Sequence, residues 1–378
     1  MPNKTKENSA NRPSIRTVAQ EVNLSPTTVS LGLRNDPSIP LETRERILAA
    51  AAKLNYSYAP RASKRRAQAL KQIAFLQHAF GDVPVVANPF YGRVLTGAES
   101  TCRDNGANLN FVVLRIDHGP DDPLPETLKA DLDGLLVVGA YPREIVERLV
   151  REIGLPMVLV DNIFLDIQCD SVMADDVGGA YQAVEHLIRL GHRRIAVITG
   201  RHPEDHLLPP SYQERYRGYL AACQDAGCPA MPLVIVPDDI NIMIESGRAI
   251  LHTWLKPLLD VPEPPTAIFC TADHYANAIL IALNNLGMRV PAEMSIASFD
   301  NINIASMLIP SLTTVHVHKE AIGRIATARL LARINGDDTP HQRITVGTQL
   351  VVRNSAAPLA QAAATPSSSL SAASRDAG

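Results

Sequence analysis

The sequence has few of the residues that crosslink secreted proteins and none of the long apolar runs that cross membranes. Its 378 residues include five cysteines, an odd number with no C-x-x-C pair, at Cys102, Cys169, Cys223, Cys228 and Cys270. This pattern favours reduced thiols over a disulfide framework or a zinc site. No apolar run approaches the roughly 18 residues of a membrane span, and the polar N-terminus lacks the apolar region of a signal peptide. We therefore expect a cytoplasmic protein without a membrane partner.

Catalytic and cofactor motifs are missing as well. No Ser/His/Asp set or carboxylate pair occurs at compatible strand ends, and the sequence holds no phosphate-binding loop or metal motif. His316 and His318 alternate along a predicted strand, which places both imidazoles on one side. Two ordinary histidines in a strand that crosses between lobes are favoured over a metal pair. The sequence thus predicts no enzyme, no catalytic residue, no metal and no cofactor.

The charge of the chain is distributed unevenly. Residues 1–72 carry 13 Lys and Arg against 5 Asp and Glu, a net charge of +8, which leaves −11 for the rest of the overall −3. A basic segment on an acidic body predicts a polyanionic partner for that segment alone. A solvated charged face is the alternative interpretation.

The basic segment has the pattern of three helices. Residues 14–22 (SIRTVAQEV) have amphipathic spacing, and a short connection leads to a second helix at 25–35. In that helix, Ser25 is placed as N-cap and Pro26 as the first helical residue. A third helix is expected at 41–56, with these residues facing inward: Ile47, Leu48, Ala51 and Leu54. Two helices joined by so short a turn form a helix-turn-helix when the second is free to enter a major groove.

The rest of the chain alternates nearly all-apolar strands with amphipathic helices. This alternation runs twice, which predicts two doubly wound parallel-sheet lobes with a ligand cleft beyond the carboxyl ends of their strands. The expected domains are a disordered N-terminus (1–13), a helix-turn-helix head (14–57), a hinge (58–72), a two-lobed body (73–355) and a disordered tail (356–378). Within the body we expect an N-lobe of 73–161 plus 318–344 and a C-lobe of 162–317 plus 345–355.

Motifs along most of the chain resemble those of the LacI/GalR family of bacterial repressors. The head carries "IRTVAQEVNLSPTTVSLGLRN" within 15–56, and the body carries "LIRLGHRRIAVITG" (187–200), "LGMRVPAEMSIASFDN" (286–301) and "PSLTTV" (310–315), in the family's order. The similarity covers about residues 14–355. The resemblance implies a helix-turn-helix head joined to a periplasmic-binding-protein-like body, a homodimer on double-stranded operator DNA, and a small-molecule effector between the lobes.

The resemblance places the base-reading residues at the start of the second helix. Pro26 and Thr27 come first and Leu31 follows a turn later, which implies methyl contacts with Thr27 as the main hydrogen-bonding reader. Further contacts to phosphates or groove edges are expected from Arg16, Thr17, Ser25, Thr28, Ser30 and Arg34. For Thr28, capping or packing is the alternative.

The basic connector departs from the family pattern. In the family this segment is a hinge helix whose leucine wedges into the minor groove and bends the duplex. Alignment from "LNY" (54–56) puts Arg65 at that leucine, and arginine enters a narrow minor groove electrostatically but is a poor wedge. We expect phosphate contacts from Arg61, Lys64, Arg65 and Arg66, and we leave operator kinking open. A flexible basic linker without specific contacts is the alternative.

The resemblance also implies the residues that hold the effector. Arg215 and Asp300 follow from "ERYRGY" and "SFDN", and a guanidinium with a carboxylate can clamp hydroxyls or a carboxylate. Phe90 and Tyr91 are candidate stacking surfaces, with a buried structural role as the alternative.

Three further effector candidates have competing roles. Asp273 is either an effector ligand or a helix N-cap. Asp161, at an expected lobe crossing, is either an effector ligand or a hydrogen bonder of the hinge. Ser211 lies in a loop (201–213) that looks longer than in familiar relatives, and it is either within reach of the effector or only a loop residue.

Together these features predict a sequence-specific transcriptional regulator, a repressor, that binds a pseudo-palindromic operator as a homodimer. A sugar or sugar derivative is the favoured effector, and a purine or other metabolite acting as corepressor is the alternative. A solute-binding protein without a DNA role would need a signal peptide and no basic head, and a two-lobed enzyme would need a catalytic constellation.

Overall fold

The structure is a computed structural model that describes residues 15–33, 39–54, 70–79, 88–115, 124, 128, 131–201, 208–237 and 254–359. The chain divides into two compact units, Met1–Leu70 and Lys71–Gly378, here called the head and the body. In these described ranges, no helix is long and apolar enough to cross a membrane.

The head is a three-helix unit around one small apolar core. Its helices are α1 (Ile15–Val22), α2 (Pro26–Leu33) and α3 (Leu41–Lys53). Val18, Val29 and Ile47 contribute one fully buried side chain from each helix. Because α1 and α2 are joined by only three residues and both pack on α3, the predicted helix-turn-helix is confirmed.

Local chemistry explains the turn between α1 and α2. Asn23 adopts a φ of 54°, a left-handed conformation that asparagine tolerates better than most residues. Ser25 Oγ accepts the Thr28 N–H at 3.0 Å, so Ser25 is the N-cap that the sequence predicts.

The predicted inward orientation of Leu48 in α3 is wrong, since this side chain is 50% exposed. It lies about 100° around α3 from Ile47, on the outer side of that helix.

The first lobe of the body is built on a six-stranded sheet in which all pairs are parallel. The strand order is β11-β5-β4-β3-β1-β2. The strands are β1 (Lys71–Ala79), β2 (Ala107–Arg115), β3 (Gly134–Val138), β4 (Met157–Val160), β5 (Asp170–Ala174) and β11 (Arg343–Val346). The helices are α4 (Pro89–Asp104), α5 (Arg143–Arg148), which continues as a π-helical turn at Leu149–Ile153, and α10 (Lys319–Ile334).

The second lobe is built on another six-stranded sheet, with the order β12-β10-β9-β8-β6-β7. The strands are β6 (Ile195–Arg201), β7 (Leu233–Pro237), β8 (Ala267–Cys270), β9 (Ser295–Asp300), β10 (Thr313–Val317) and β12 (Thr348–Val351), of which β12 is antiparallel to β10. The helices are α6 (Asp176–Arg189), α7 (Pro210–Asp225), α8 (Lys256–Leu259) and α9 (Asp273–Asn285), with a 3-10 turn at Asn303–Ser306. The predicted pair of doubly wound lobes is confirmed.

The chain passes between the lobes at Asp175, His318 and Gly347. The predicted first crossing after residue 161 is wrong, because β5 pairs with β4 in the first sheet before the chain leaves that lobe. The edge strands β11 and β12 have side chains that are exposed or only partly buried, so both lack the apolar run by which the sequence indicates the central strands.

The predicted disorder from residue 356 onward is wrong for the first four of these residues. Residues 356–359 lie against the second lobe, where the Leu359 N–H donates to the Leu190 carbonyl at 2.8 Å. The Ala357 carbonyl lies 3.1 Å from His192 Nε2. The expected tail beyond 359 and the expected disordered segment 1–13 lie outside the described residues.

A pair of glycines sets how α4 meets α10. A Cβ at Gly97 would collide with the Glu320 carbonyl, and a Cβ at Gly323 would collide with the Val94 carbonyl. The two helix backbones therefore touch directly, with the middle of α4 against the start of α10. The first residues of both helices contribute to the site described below.

Candidate functional site

Arg215 is the centre of a buried polar cluster between the lobes. It lies one turn after Ser211 on the inward face of α7, and it is only 1% exposed. Its Nε donates to Asp176 Oδ1 at 2.8 Å, and its Nη1 donates to the Thr271 carbonyl at 2.6 Å. The guanidinium carbon lies 3.9 Å from the centre of the Phe299 ring. Such multiple anchoring holds the guanidinium in one orientation.

Asp300 faces Arg215 from the carboxyl end of β9. Its Oδ1 lies 3.0 Å from Arg215 Nη1, although the angle there is poor for a hydrogen bond. Asp300 and the following Asn301 have φ values of 101° and 48°, in the region that side chains other than glycine disfavour. The expected Arg215 and Asp300 pair is therefore brought together, on a strained stretch of backbone.

Lys319 supports that stretch from the first residue of α10, in the other lobe. It is 4% exposed, and its Nζ donates to the carbonyls of Asp300, Asn301 and Val317. Burial lowers the pKa of this ammonium group. The sequence analysis missed Lys319 because the signal is a contact between residues far apart in the chain.

Asp161 joins the cluster from the end of β4. Tyr91 Oη donates to Asp161 Oδ2 at 2.7 Å, and Ser211 approaches the same carboxyl from the second lobe. Three of the predicted effector candidates, Asp161, Tyr91 and Ser211, therefore lie together. Phe90 is buried, with its ring 5.6 Å from Lys319 Nζ, which favours its alternative role as a structural aromatic.

Asp273 has a bracing role that the sequence does not reveal. Its Oδ1 accepts the Thr314 hydroxyl at 2.7 Å and its Oδ2 accepts the Ile302 N–H at 2.8 Å, and the side chain is fully buried. The N-cap alternative is wrong, because Ala272 occupies the N-cap position of α9 and Asp273 follows it inside the helix. With both oxygens bonded to protein, Asp273 ties the end of β9 to β10.

Asp176 is the second residue that the sequence analysis missed. It begins α6 directly after the chain crosses between lobes, it is 2% exposed, and only its Oδ1 accepts a hydrogen bond from the described residues. The sequence does contain a signal for this role, since two adjacent aspartates, Asp175 and Asp176, directly follow an apolar strand.

Burial controls the protonation of these carboxyls. It raises the pKa of Asp161 to about 6 and that of Asp176 to about 7, even though the positive charge of Arg215 opposes both shifts. The pKa of Asp273 is also raised to about 7, first by burial and then by the charge of Asp300. Between about pH 4 and pH 6, these three carboxyls are therefore protonated in the folded body and ionised in the unfolded chain.

These shifts predict that the body loses stability as pH rises. Because the folded pKa of Asp176 exceeds the value of about 3.9 for exposed aspartate, its contribution falls between about pH 4 and pH 7. Asp176→Asn removes this titration, so the free energy of unfolding of the variant relative to wild type should rise by roughly 2 kcal/mol from pH 5 to pH 8. Urea unfolding at both pH values measures the change, and a constant difference would contradict it.

In the head, the residues expected to contact DNA are placed as follows. Ser25 and Pro26 are exposed at the start of α2, while Thr28 and Leu31 are half-buried. Ser25 Oγ also lies 2.8 Å from Thr28 Oγ1, so part of the capping alternative for Thr28 holds. Thr17 lies half-buried on α1. For Arg16, Thr27 and Ser30, only the helical backbone is described, and Arg34, Arg61, Lys64, Arg65 and Arg66 lie outside the described residues.

The described residues contain no group of three or more side chains arranged to hold a metal ion. His316 and His318 have ring centres 4.8 Å apart, and His316 Nδ1 lies 3.0 Å from Asn301 Nδ2. That contact makes His316 a support for the strained turn after β9.

Comparisons with known proteins match both units. Residues 14–58 match "Bacterial regulatory proteins, lacI family", and residues 184–356 match the "Periplasmic binding protein-like domain". The chain is 31% identical over 348 residues to the HTH-type transcriptional repressor PurR of Actinobacillus pleuropneumoniae serotype 3, covering 90% of this chain and 98% of that protein. It is 29% identical over 346 residues to the ribose operon repressor of Haemophilus influenzae, with the same coverage. A solved LacI family transcriptional regulator from Enterococcus faecium with bound ribose is 25% identical, with a TM-score of 0.62, covering 76% of this chain and 100% of that chain.

Proposed function

Because the chain belongs to the lacI family of bacterial regulatory proteins, we propose that it is a homodimer that binds a pseudo-palindromic operator and responds to a small-molecule effector in its body. It is a transcriptional repressor and not an enzyme. Its partners are double-stranded DNA, a second copy of itself and the effector. It acts in the cytoplasm, where bacterial DNA is found.

The observation that supports DNA binding is the exposure of one face of α2. Val29 is completely buried in the head core, whereas Ser25 and Pro26 at the start of the helix are exposed. A helix held this way by its partners presents its first turn to a major groove. The net charge of +8 over residues 1–72 supplies affinity for phosphates.

Base reading is assigned to Pro26, Thr27 and Leu31, as the sequence predicts. The phosphate and groove-edge contacts are Arg16, Thr17, Ser25, Thr28, Ser30 and Arg34, followed by Arg61, Lys64, Arg65 and Arg66 of the connector. Two heads related by a two-fold axis read the two halves of the operator.

The observation that supports effector control is the polar cluster around Arg215. Arg215, Asp300, Asp161 and Ser211 converge from both lobes. Carboxylates and a guanidinium bind hydroxyl groups well, and relatives named for ribose favour a sugar or sugar derivative. A purine or other metabolite acting as corepressor is the second candidate.

Contacts that cross between the lobes provide a route from effector to operator. The approach of Ser211 to Asp161 and the Lys319 bonds to the Asp300 turn both link the two lobes. An effector that alters these contacts changes the balance between lobe orientations. In a dimer joined through the bodies, this change alters the placement of the heads and hence operator affinity.

Footprinting on the DNA next to the gene of the repressor tests the proposed function. We expect protection of a site with two related halves, and binding that weakens steeply as salt rises. Absence of both protection and salt-sensitive duplex binding would contradict the proposal. A sugar that shifts operator affinity, and fails to do so in Asp300→Asn, would support effector control through this cluster.

Pro26→Ala tests the assignment of base reading. Alanine suits the first turn of a helix, so the head should fold, but the apolar ring that meets the base edges is lost. We expect operator affinity to fall by about fivefold to tenfold while affinity for random duplex stays constant. Quantitative binding to both DNAs measures this, with Glu42→Gln on the exposed start of α3 as control. An equal loss on both DNAs would show that Pro26 only positions the head.

A further inference from the structure

The described residues of the effector site include more buried carboxyls than buried cations. Four carboxyls lie together in it, each more than nine-tenths buried: Asp161, Asp176, Asp273 and Asp300. Two buried cations face them, Arg215 from α7 and Lys319 from α10. Other titratable groups of the described residues adjoin these six: Tyr91, Tyr212, His316, Glu320 and Arg353, which donates to Asn301. With the four carboxyls ionised, this set of four carboxyls and two buried cations carries a net charge of −2.

The hydrogen bonds show which carboxylate oxygens lack a donor. Both oxygens of Asp273 accept bonds from protein, and Asp161 accepts a bond from Tyr91. Asp176 and Asp300 differ, because each has a buried oxygen that accepts from no donor in the described part of the chain. In Asp176 this oxygen is Oδ2, since Oδ1 accepts from Arg215, and in Asp300 it is Oδ1, which faces Arg215 at a poor angle. A buried carboxylate oxygen without a donor is costly, so it marks a position that a donor is expected to fill.

We propose that the effector of this repressor carries a protonated amino group, which binds at Asp176 with Asp161 and Asp300 beside it. The inference rests on the proposed function, since it names the class of ligand for the same site. The effector is an amino-bearing polyol, such as an amino sugar, whose hydroxyls meet Arg215 and Asp300.

The charge of the cluster favours an ammonium over a hydroxyl. A hydroxyl donates one hydrogen bond without changing the charge, whereas an ammonium donates up to three and compensates one of the two excess charges. An anionic effector, such as a sugar phosphate, would add charge of the sign that is already in excess. The site therefore selects against phosphorylated sugars.

Protons compensate this charge when no cation is bound. Burial raises the pKa of Asp176 to about 7, so near neutral pH this carboxyl is protonated in a large fraction of molecules. A bound ammonium stabilises the ionised carboxylate, and the proton leaves to the buffer. Binding of the amine should thus release protons, and binding of a neutral sugar should not.

Isothermal titration calorimetry on the full-length repressor tests this at pH 7, in buffers of different ionisation enthalpy. The probes are D-glucosamine and D-galactosamine, each with its neutral parent sugar and its N-acetyl derivative. We expect at least one amine to bind about tenfold or more tightly than its neutral partners, with proton release. Asp176→Asn should remove both the advantage and the proton release, while Asp104→Asn, at an exposed position of α4, should change neither.

The outcomes separate this inference from the proposed function. If neutral sugars bind as well as their amines, or if Asp176→Asn leaves the preference unchanged, the inference fails while effector control stands. If no amine binds, the inference also fails. If, in addition, no sugar changes operator affinity, the proposal that a sugar controls the repressor fails as well.

Discussion

Arg215→Ala is expected to lower the free energy of unfolding by about 4 kcal/mol, because it removes one of the two cations from a buried cluster of carboxyl groups. The substitution leaves Asp176 and Asp300 without their ionic partner and leaves the Thr271 carbonyl without its donor. It also removes the packing of the guanidinium on the Phe299 ring. Urea unfolding at pH 7 measures the loss, and the same variant should no longer respond to effector.

The same helix supplies a matched control for this prediction. Arg217 is also an arginine of α7, but its side chain is 67% exposed and, among the described residues, pairs with Glu214 alone. Exposed ion pairs contribute little, so Arg217→Ala should change stability by less than about 1 kcal/mol. A second test adds Asp176→Asn to Arg215→Ala, which should recover part of the lost stability by removing a stranded charge. Equal losses for the two alanine variants would contradict the ion-pair explanation.

Lys319→Met is expected to cost about 2 to 3 kcal/mol and to weaken effector binding about as much as Asp300→Asn does. Methionine keeps the length of the side chain but leaves three carbonyls, those of Asp300, Asn301 and Val317, without the ammonium donor. Lysine is otherwise unfavourable here, since burial lowers its pKa and a cation at a helix start opposes the helix dipole. Its contribution is to stabilise the left-handed turn that aims Asp300 at Arg215.

A double-substitution cycle separates positioning from general destabilisation. If Lys319 acts through Asp300, then Lys319→Met added to Asp300→Asn should cause no further loss of effector affinity, measured by calorimetry. Lys256→Met, at an exposed lysine of α8, is the control and should leave both stability and affinity unchanged. Additive losses of affinity in the double variant would show that Lys319 does not act through Asp300.

Residues whose roles depend on near neighbours in the chain were predicted well. Ser25 caps α2 and Pro26 begins it, because cap chemistry involves residues only three positions apart. The apolar strands of both lobes were located from their composition, since strands that are buried on both faces must be almost entirely apolar. Arg215 and Asp300 were placed by their motifs, and the structure brings them to within 3.0 Å of each other.

Residues whose roles depend on distant partners were not predictable in this way. Asp273 was weighed as an N-cap or an effector ligand, and the structure shows it bonded to Thr314 of β10 and to Ile302, two residues after β9. The place where the chain first leaves the first lobe was wrong, because the membership of β5 in that sheet depends on its pairing with β4. A strand sequence indicates burial but does not identify its neighbour.

The sequence by itself determined the helix-turn-helix head and the two parallel-sheet lobes, since each depends on local pattern, and its motifs led to the proposal that Arg215 and Asp300 clamp the effector. Only the tertiary structure decided the charge of the proposed effector site. Asp161, Asp176 and Arg215 come from three separate elements, and Lys319 comes from a fourth. The packing of these elements decides how many charged side chains come together, how deeply they are buried, and which oxygen of Asp176 lacks a donor. The reason is that the energy of a charge depends on what surrounds it in space.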